Sequence, residues 1–131
     1  MMVERIAFKG LLANDAASLS NDQYFKLIKS RQRRSIKRNS LQYRELLLKV
    51  AEMKKAANKK PIKTHIREAV ILPSWIGLTF SVYTGKEFQQ FEISAGMLGH
   101  RLGEFAYSTK RVLHSAPGIR ATRGSKFLAV K

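Results

Sequence analysis

The chain has no cysteine among its 131 residues, which excludes disulfides and thiolate metal sites together. Acid is scarce: 9 Asp and Glu stand against 25 Lys and Arg, a formal charge of +16. No apolar run approaches the roughly eighteen residues that a membrane-crossing helix needs. The opening "MMVERIAFKGLLANDAASLS" carries Glu4 and Asp15 and has no clean apolar segment, so it reads poorly as a targeting peptide. Also missing are internal repeats, a Gly-x-Gly-x-x-Gly loop, a Walker Gly-Lys-Ser/Thr and a Gly-x-Ser-x-Gly elbow.

What the chain has is unevenly placed positive charge. Residues 1–63 hold 16 basic and 5 acidic side chains, and residues 64–131 hold 9 and 4, so the two parts carry +11 and +5. From Tyr107 onward there is no acid at all. A small domain gains nothing from such self-repulsion unless a polyanion neutralises it, and nucleic acid is the commonest polyanion. The length suits one domain with appendages. Charge and pattern together divide it into a basic helical front (1–63), an α+β core (64–106) and a basic tail (107–131).

The front reads as helical. Ser20 and Gln23 have capping-box spacing, Leu19 and Tyr24 stand at staple positions, and Tyr24, Phe25 and Ile28 form a narrow apolar stripe. That helix is expected to run on into "KSRQRRSIKRN", which contains no carboxylate. A second helix is expected from Asn39 or Ser40. Leu46, Val50, Met53 and Ala57 form its stripe, Glu45 and Lys49 pair across one turn, and Asn58 and Pro61 end it.

The period then changes. In "LTFSVYTGKEFQQFEI", Leu78, Phe80 and Val82 alternate with Thr79, Ser81 and Tyr83. Thr84-Gly85 is expected as a two-residue turn, with Phe88 to Ile93 returning. "AVILP" reads as a short buried strand stopped by Pro73. The expectation is an α+β fold with a small antiparallel sheet, basic amino-terminal helices and an extended basic carboxy-terminal tail.

"GMLGHRLGEFA", Gly96 to Ala106, sets His100 and Glu104 four residues apart among glycines. A zinc site needs at least three protein ligands, and His65 and His114 have no ligand spacing to supply them. Gly99 and Gly103 would each cost a helix about 1 kcal/mol relative to Ala. The bland reading is the stronger one: glycines allow a close backbone approach, Glu104 is an internal anchor, and Phe105 belongs to the core.

"LPSWIGLTFSVYTGKEF" followed by "EISAGMLGHRLGEFA" resembles the S-nineteen family of small-subunit ribosomal proteins, numbered fifteen in eukaryotes. The signature is carried by Leu72, Pro73, Gly77, Gly85, Lys86, Met97, Gly99, His100, Leu102, Gly103, Glu104 and Phe105. "SRQRRSIKRN", "IKTHIREAVILP" and "HSAPGIRAT" extend the likeness to the archaeal and eukaryotic cytosolic branch, with Arg120 where that branch usually has glycine. The resemblance implies a non-catalytic protein without cofactor or metal, bound to rRNA in the head of the small subunit. It implies a neighbouring S-thirteen family protein, a bridge to the large subunit, and a tail near A-site tRNA and mRNA. It also implies a role in subunit assembly and a cytoplasmic location on the ribosome, with nucleolar passage in a eukaryote, and no membrane partner.

Folded RNA is read through its shape, phosphates and 2′-hydroxyls, which suits dense Arg. The RNA-binding candidates are Arg31, Arg33, Arg34, Lys37 and Arg38 in the front, and Lys54 and Lys55 at the end of the second helix. Lys86, His100 and Arg101 follow in the core, then Lys110, Arg111, His114, Arg120, Arg123 and Lys126 in the tail. Gly85, Gly99 and Gly103 are the candidate close-approach positions. The competing reading is a free basic nucleic-acid-binding regulator, for which the apolar stripe at Tyr24 is too short to form a dimer zipper.

Overall fold

The structure is a computed structural model that describes residues 7–38, 40–56 and 60–109. After a short helix α1 (Ala13–Ala17), α2 (Asn21–Leu27) begins at Ser20. The Ser20 hydroxyl accepts from the Gln23 N–H at 3.4 Å, and the Gln23 side chain accepts from the Ser20 N–H at 3.3 Å. This is the capping box that the spacing foretells. Leu19, at the staple position, packs against the core.

The helix does not run on into the basic stretch. Ile28 turns extended (φ −78°, ψ 158°), and α3 (Ser30–Arg38) starts afresh. Gln32 accepts from the Lys29 N–H at 3.2 Å, while the Lys29 carbonyl accepts from Arg33 at 3.0 Å. A straight continuation would set Arg31 and Gln32 in line with buried Tyr24 and Ile28. The break turns the cationic run outward, and no residue of α3 is buried.

Helix α4 (Leu41–Lys55) follows Ser40 and buries Tyr43, Leu46 and Val50 at spacings of three and four, with Met53 half-buried. Asn39, Ala57 and Asn58 lie outside the described residues. Lys49 does not pair with Glu45; its ammonium donates to the Lys63 carbonyl at 3.0 Å and fastens α4 to the sheet.

The sheet is mixed rather than antiparallel throughout. β1 (Ile62–Thr64) runs parallel to β2 (Thr79–Tyr83), which pairs antiparallel with β3 (Phe88–Glu92). β1 was not expected; "AVILP" was, and it joins no strand of the sheet. Residues 65–78 are the long crossover that a parallel pair requires. Within them Ala69–Leu72 is buried and runs against residues 100–103, with Ile71 N–H donating to the His100 carbonyl at 2.9 Å and Leu102 N–H to the Ala69 carbonyl at 3.0 Å. Pro73 then opens a 3₁₀ turn, Pro73–Trp75.

Tyr83 faces Phe88 across the hairpin, so its loop is the four residues 84–87 rather than two. Both the N–H and the hydroxyl of Thr84 donate to the Glu87 carbonyl at 2.9 Å, which closes the longer loop, and Gly85 takes φ +104° within it. Ser81, which alternates with Phe80 and Val82, is fully buried as they are. Trp75 anchors the core, 5.1 Å from Phe80 and 6.4 Å from Tyr43 between ring centroids. The Gly96–Ala106 segment is not an α-helix but two 3₁₀ turns, Ala95–Met97 and Leu102–Glu104.

Candidate nucleic-acid interface

Two helices are fastened to the glycine-rich segment through Gly99. The Tyr24 hydroxyl donates to the Ile71 carbonyl at 2.6 Å and accepts from the Gly99 N–H at 3.1 Å. Gln32 of α3 donates its side-chain N–H to the Gly99 carbonyl. Burial pushes the Tyr24 hydroxyl up to about 12, although the Gly99 bond pulls the other way. α2 and α3 thus take both backbone polar groups of one glycine, which fixes the basic helix beside His100.

Two of the three glycines, Gly99 and Gly103, lie against other parts of the chain. Gly99 has φ +76°, and a Cβ there would stand 3.4 Å from the Phe8 ring. A Cβ on Gly103 would stand 3.0 Å from the Arg67 Cβ and 3.1 Å from its carbonyl oxygen. Close approach is therefore real at Gly103, but the partner is Arg67 of the same chain. Gly85 alone of the three has open space beside it.

On α3, Ser30, Arg33, Arg34, Lys37 and Arg38 line one shallow groove at spacings of three and four. Arg33 is half-buried and donates from Nη2 to the Ile28 carbonyl at 3.1 Å, so it braces the α2–α3 corner. Arg31, Arg34, Lys37 and Arg38 are exposed, and among the described residues none pairs with a carboxylate. Next to this groove lies a concave surface lined by Lys9, Lys29, Gln32, Gly96, Gly99, His100 and Glu104. Arg33, Arg34, Lys37, Arg38 and His100 are thereby gathered on neighbouring surfaces.

His100 Nδ1 and Glu104 Oε2 lie 2.5 Å apart, with both side chains about half exposed, at 53% and 48%. Glu104 also accepts from the Arg101 N–H at 3.3 Å, so it anchors the 3₁₀ turn as expected, while its other carboxylate oxygen meets the His100 ring. Among the described residues no group of three or more His, Asp and Glu could hold a metal ion. Phe105 is half-buried against the core, 5.8 Å from Phe91. Arg101 is tied to Glu68 by an ion pair and is less free for a phosphate than its neighbours.

The remaining candidates are dispersed. Lys86 sits exposed on the 84–87 loop. Lys54 donates to the Ser74 carbonyl, and Lys55 is exposed at the end of α4. Lys110, Arg111, His114, Arg120, Arg123 and Lys126 lie outside the described residues. Among those described, no helix is long and apolar enough to cross a membrane.

Sequence reasoning missed the clamp at Arg67. Its guanidinium donates to the Tyr83 carbonyl at 2.9 Å, the Gly103 carbonyl at 3.1 Å and the Ala106 carbonyl, while its own carbonyl accepts from Gly103 at 2.8 Å. The signal available was faint: one Arg just ahead of the apolar run "AVIL" in "HIREAVIL".

A family model described as ribosomal protein S19 matches residues 34–114. The chain is 45% identical over 126 residues to the small ribosomal subunit protein uS19 of Saccharolobus solfataricus, covering 95% of this chain and 90% of that one. It is 40% identical to uS19 of Cenarchaeum symbiosum, covering 99% and 100%. It is 38% identical to uS19 of Metallosphaera sedula, covering 98% and 93%.

Proposed function

The chain belongs to the S19 family of small-subunit ribosomal proteins, and from that premise we propose that it holds rRNA in the head of the small subunit through the outward face of α3. The observation that carries this is the row of exposed cations Arg34, Lys37 and Arg38, without carboxylate partners among the described residues. A planar guanidinium bridges two phosphate oxygens, and a helical row at three- and four-residue spacing follows a backbone without reading bases. Arg31 extends the row around the helix, and Arg33 supports it from beneath.

His100, with Lys9 and Lys29 on the adjoining concave surface, forms the second contact. Lys86 beside the open Gly85 forms a third, and Lys54, Lys55 and Arg101 add weaker ones that their internal bonds restrict. The acid-free tail from residue 107 runs along RNA toward the decoding region, near A-site tRNA and mRNA. There Lys110, Arg111, His114, Arg120, Arg123 and Lys126 meet phosphates. The three stretches 1–63, 64–106 and 107–131 then act as basic front, core and arm.

The role is structural and not catalytic: the protein stabilises folded rRNA, supports assembly, adjoins an S-thirteen family protein and lies near a bridge to the large subunit. It works on cytoplasmic ribosomes, with nucleolar passage during assembly where the cell is eukaryotic. Sedimentation of a tagged copy through sucrose gradients, with a high-salt wash, tests this reading. Co-migration with small subunits that survives the wash is the expected result for a protein built into the subunit, since binding by charge alone falls steeply with salt. Material that stays at the top of the gradient would mark a free regulator instead.

A further inference from the structure

The sheet ends in an exposed aromatic patch that neither the core nor the α3 face uses. His65, just after β1, stacks on Tyr83 at the end of β2, with centroids 4.8 Å apart and planes 14° apart. Phe88, opening β3, stands 5.1 Å from Tyr83 and 5.2 Å from His65. One ring comes from the end of each strand, so the three form a continuous patch across the sheet. His65 is exposed, and Phe88 keeps 37% of its surface in solvent.

A cross-strand pair such as Tyr83–Phe88 explains two of these rings as hairpin stabilisation. It does not explain the third, nor the cations set around them. Lys63 holds its ammonium 5.6 Å from the Phe88 centroid. Lys86 is exposed on the adjoining loop, beside a glycine with open space. The polar tip of Tyr83 is already used, because its hydroxyl donates to the Gly85 carbonyl at 2.9 Å and holds the ring in place.

We propose that the His65–Tyr83–Phe88 patch is a stacking platform for an unpaired nucleobase of RNA, with Lys63 and Lys86 meeting the phosphates on either side of it. The proposal rests on the RNA-binding reading above and adds a ligand class: a single-stranded or bulged nucleotide rather than a duplex. Paired bases are already stacked within their helix and offer no free face, whereas a splayed base presents its π-surface to an aromatic side chain. The surrounding charge favours a nucleotide over a protein partner, because Lys63 and Lys86 complement phosphates flanking the stacked base.

The test uses the full chain and a short oligouridine carrying one 5-iodouridine, which photo-crosslinks to aromatic side chains it stacks on, with an RNA duplex of equal length as control. Crosslinks mapping to His65, Tyr83 or Phe88 support the platform. So does a Phe88→Leu variant that loses roughly 5- to 100-fold in single-strand affinity while binding the duplex unchanged. His65→Ala, outside the strands, gives the same comparison if Phe88→Leu fails to fold, and the crosslink needs no variant. Crosslinks confined to α3 or the tail, with both variants binding single strands normally, overturn the platform and leave the α3 reading standing. If the unsubstituted chain binds neither RNA, the RNA reading itself fails and the platform falls with it.

Discussion

Replacing Tyr24 by Phe removes one oxygen and leaves a ring of the same size, still packed against Phe8 at 5.9 Å and Phe25 at 6.3 Å between centroids. What is lost is the hydroxyl that donates to the Ile71 carbonyl and accepts from the Gly99 N–H. A buried polar group stranded in this way costs about 1–3 kcal/mol. Ile71 is fully buried and Gly99 half-buried, so the two together should cost about 2–4 kcal/mol. At roughly 4 °C per kcal/mol for a domain of this size, the melting temperature should fall by roughly 8–16 °C. Tyr43→Phe is the matched control: its hydroxyl is buried but has no partner among the described residues, so its loss should cost much less. Urea unfolding followed by circular dichroism measures both. A Tyr24→Phe chain within about 0.5 kcal/mol of the unsubstituted one, or no less stable than Tyr43→Phe, would refute the argument that this hydroxyl ties α2 to the glycine segment.

The same hydroxyl predicts an alkaline effect, since burial raises it from 10.0 to about 12. The folded state retains the proton that the unfolded state releases, so its contribution is complete below pH 10 and is lost as pH rises toward 12. The stability gap between the unsubstituted chain and Tyr24→Phe should therefore narrow across that window, and a constant gap in denaturant titrations would contradict it. Gly103→Ala should cost about 1–3 kcal/mol, because the new Cβ meets the Arg67 backbone and the 2.8 Å bond between the two residues prevents retreat. Gly96→Ala, with nothing within 4 Å, should fall within about 1 kcal/mol of the parent, as thermal melts would show. Arg67→Lys should destabilise by at least about 2 kcal/mol, since one ammonium cannot reproduce the guanidinium fork that serves carbonyls at residues 83, 103 and 106.

The parts of the fold legible in the sequence are those governed by near neighbours. Ser20 and Gln23 satisfy each other within one turn, Leu46 and Val50 mark one helix face, and the alternation around Phe80 and Val82 marks a strand. The three-residue β1 is too short to show a period, and it forms only because the crossover brings it alongside β2. The break at Ile28 follows from how α2 meets the core, which no local propensity reports. The bonds from Tyr24 link residues 47 and 75 positions apart, so the reason for Gly99 became visible only once the chain had folded. The basic run was plain from composition, but which of its cations stay free was not. Arg33 turns inward, Arg101 meets Glu68, and Lys54 reaches the Ser74 carbonyl.

The central claim is that the outward cations of α3 grip rRNA phosphates, and the most direct measurement is the salt dependence of binding to naked small-subunit rRNA. Each phosphate neutralised contributes a log–log slope of about −0.7 to −0.9. An Arg34→Ala, Lys37→Ala, Arg38→Ala chain should therefore bind with a slope shallower by roughly 2 to 3, with its circular dichroism unchanged because none of the three is buried. Equal slopes and equal affinities for the two chains would contradict the account.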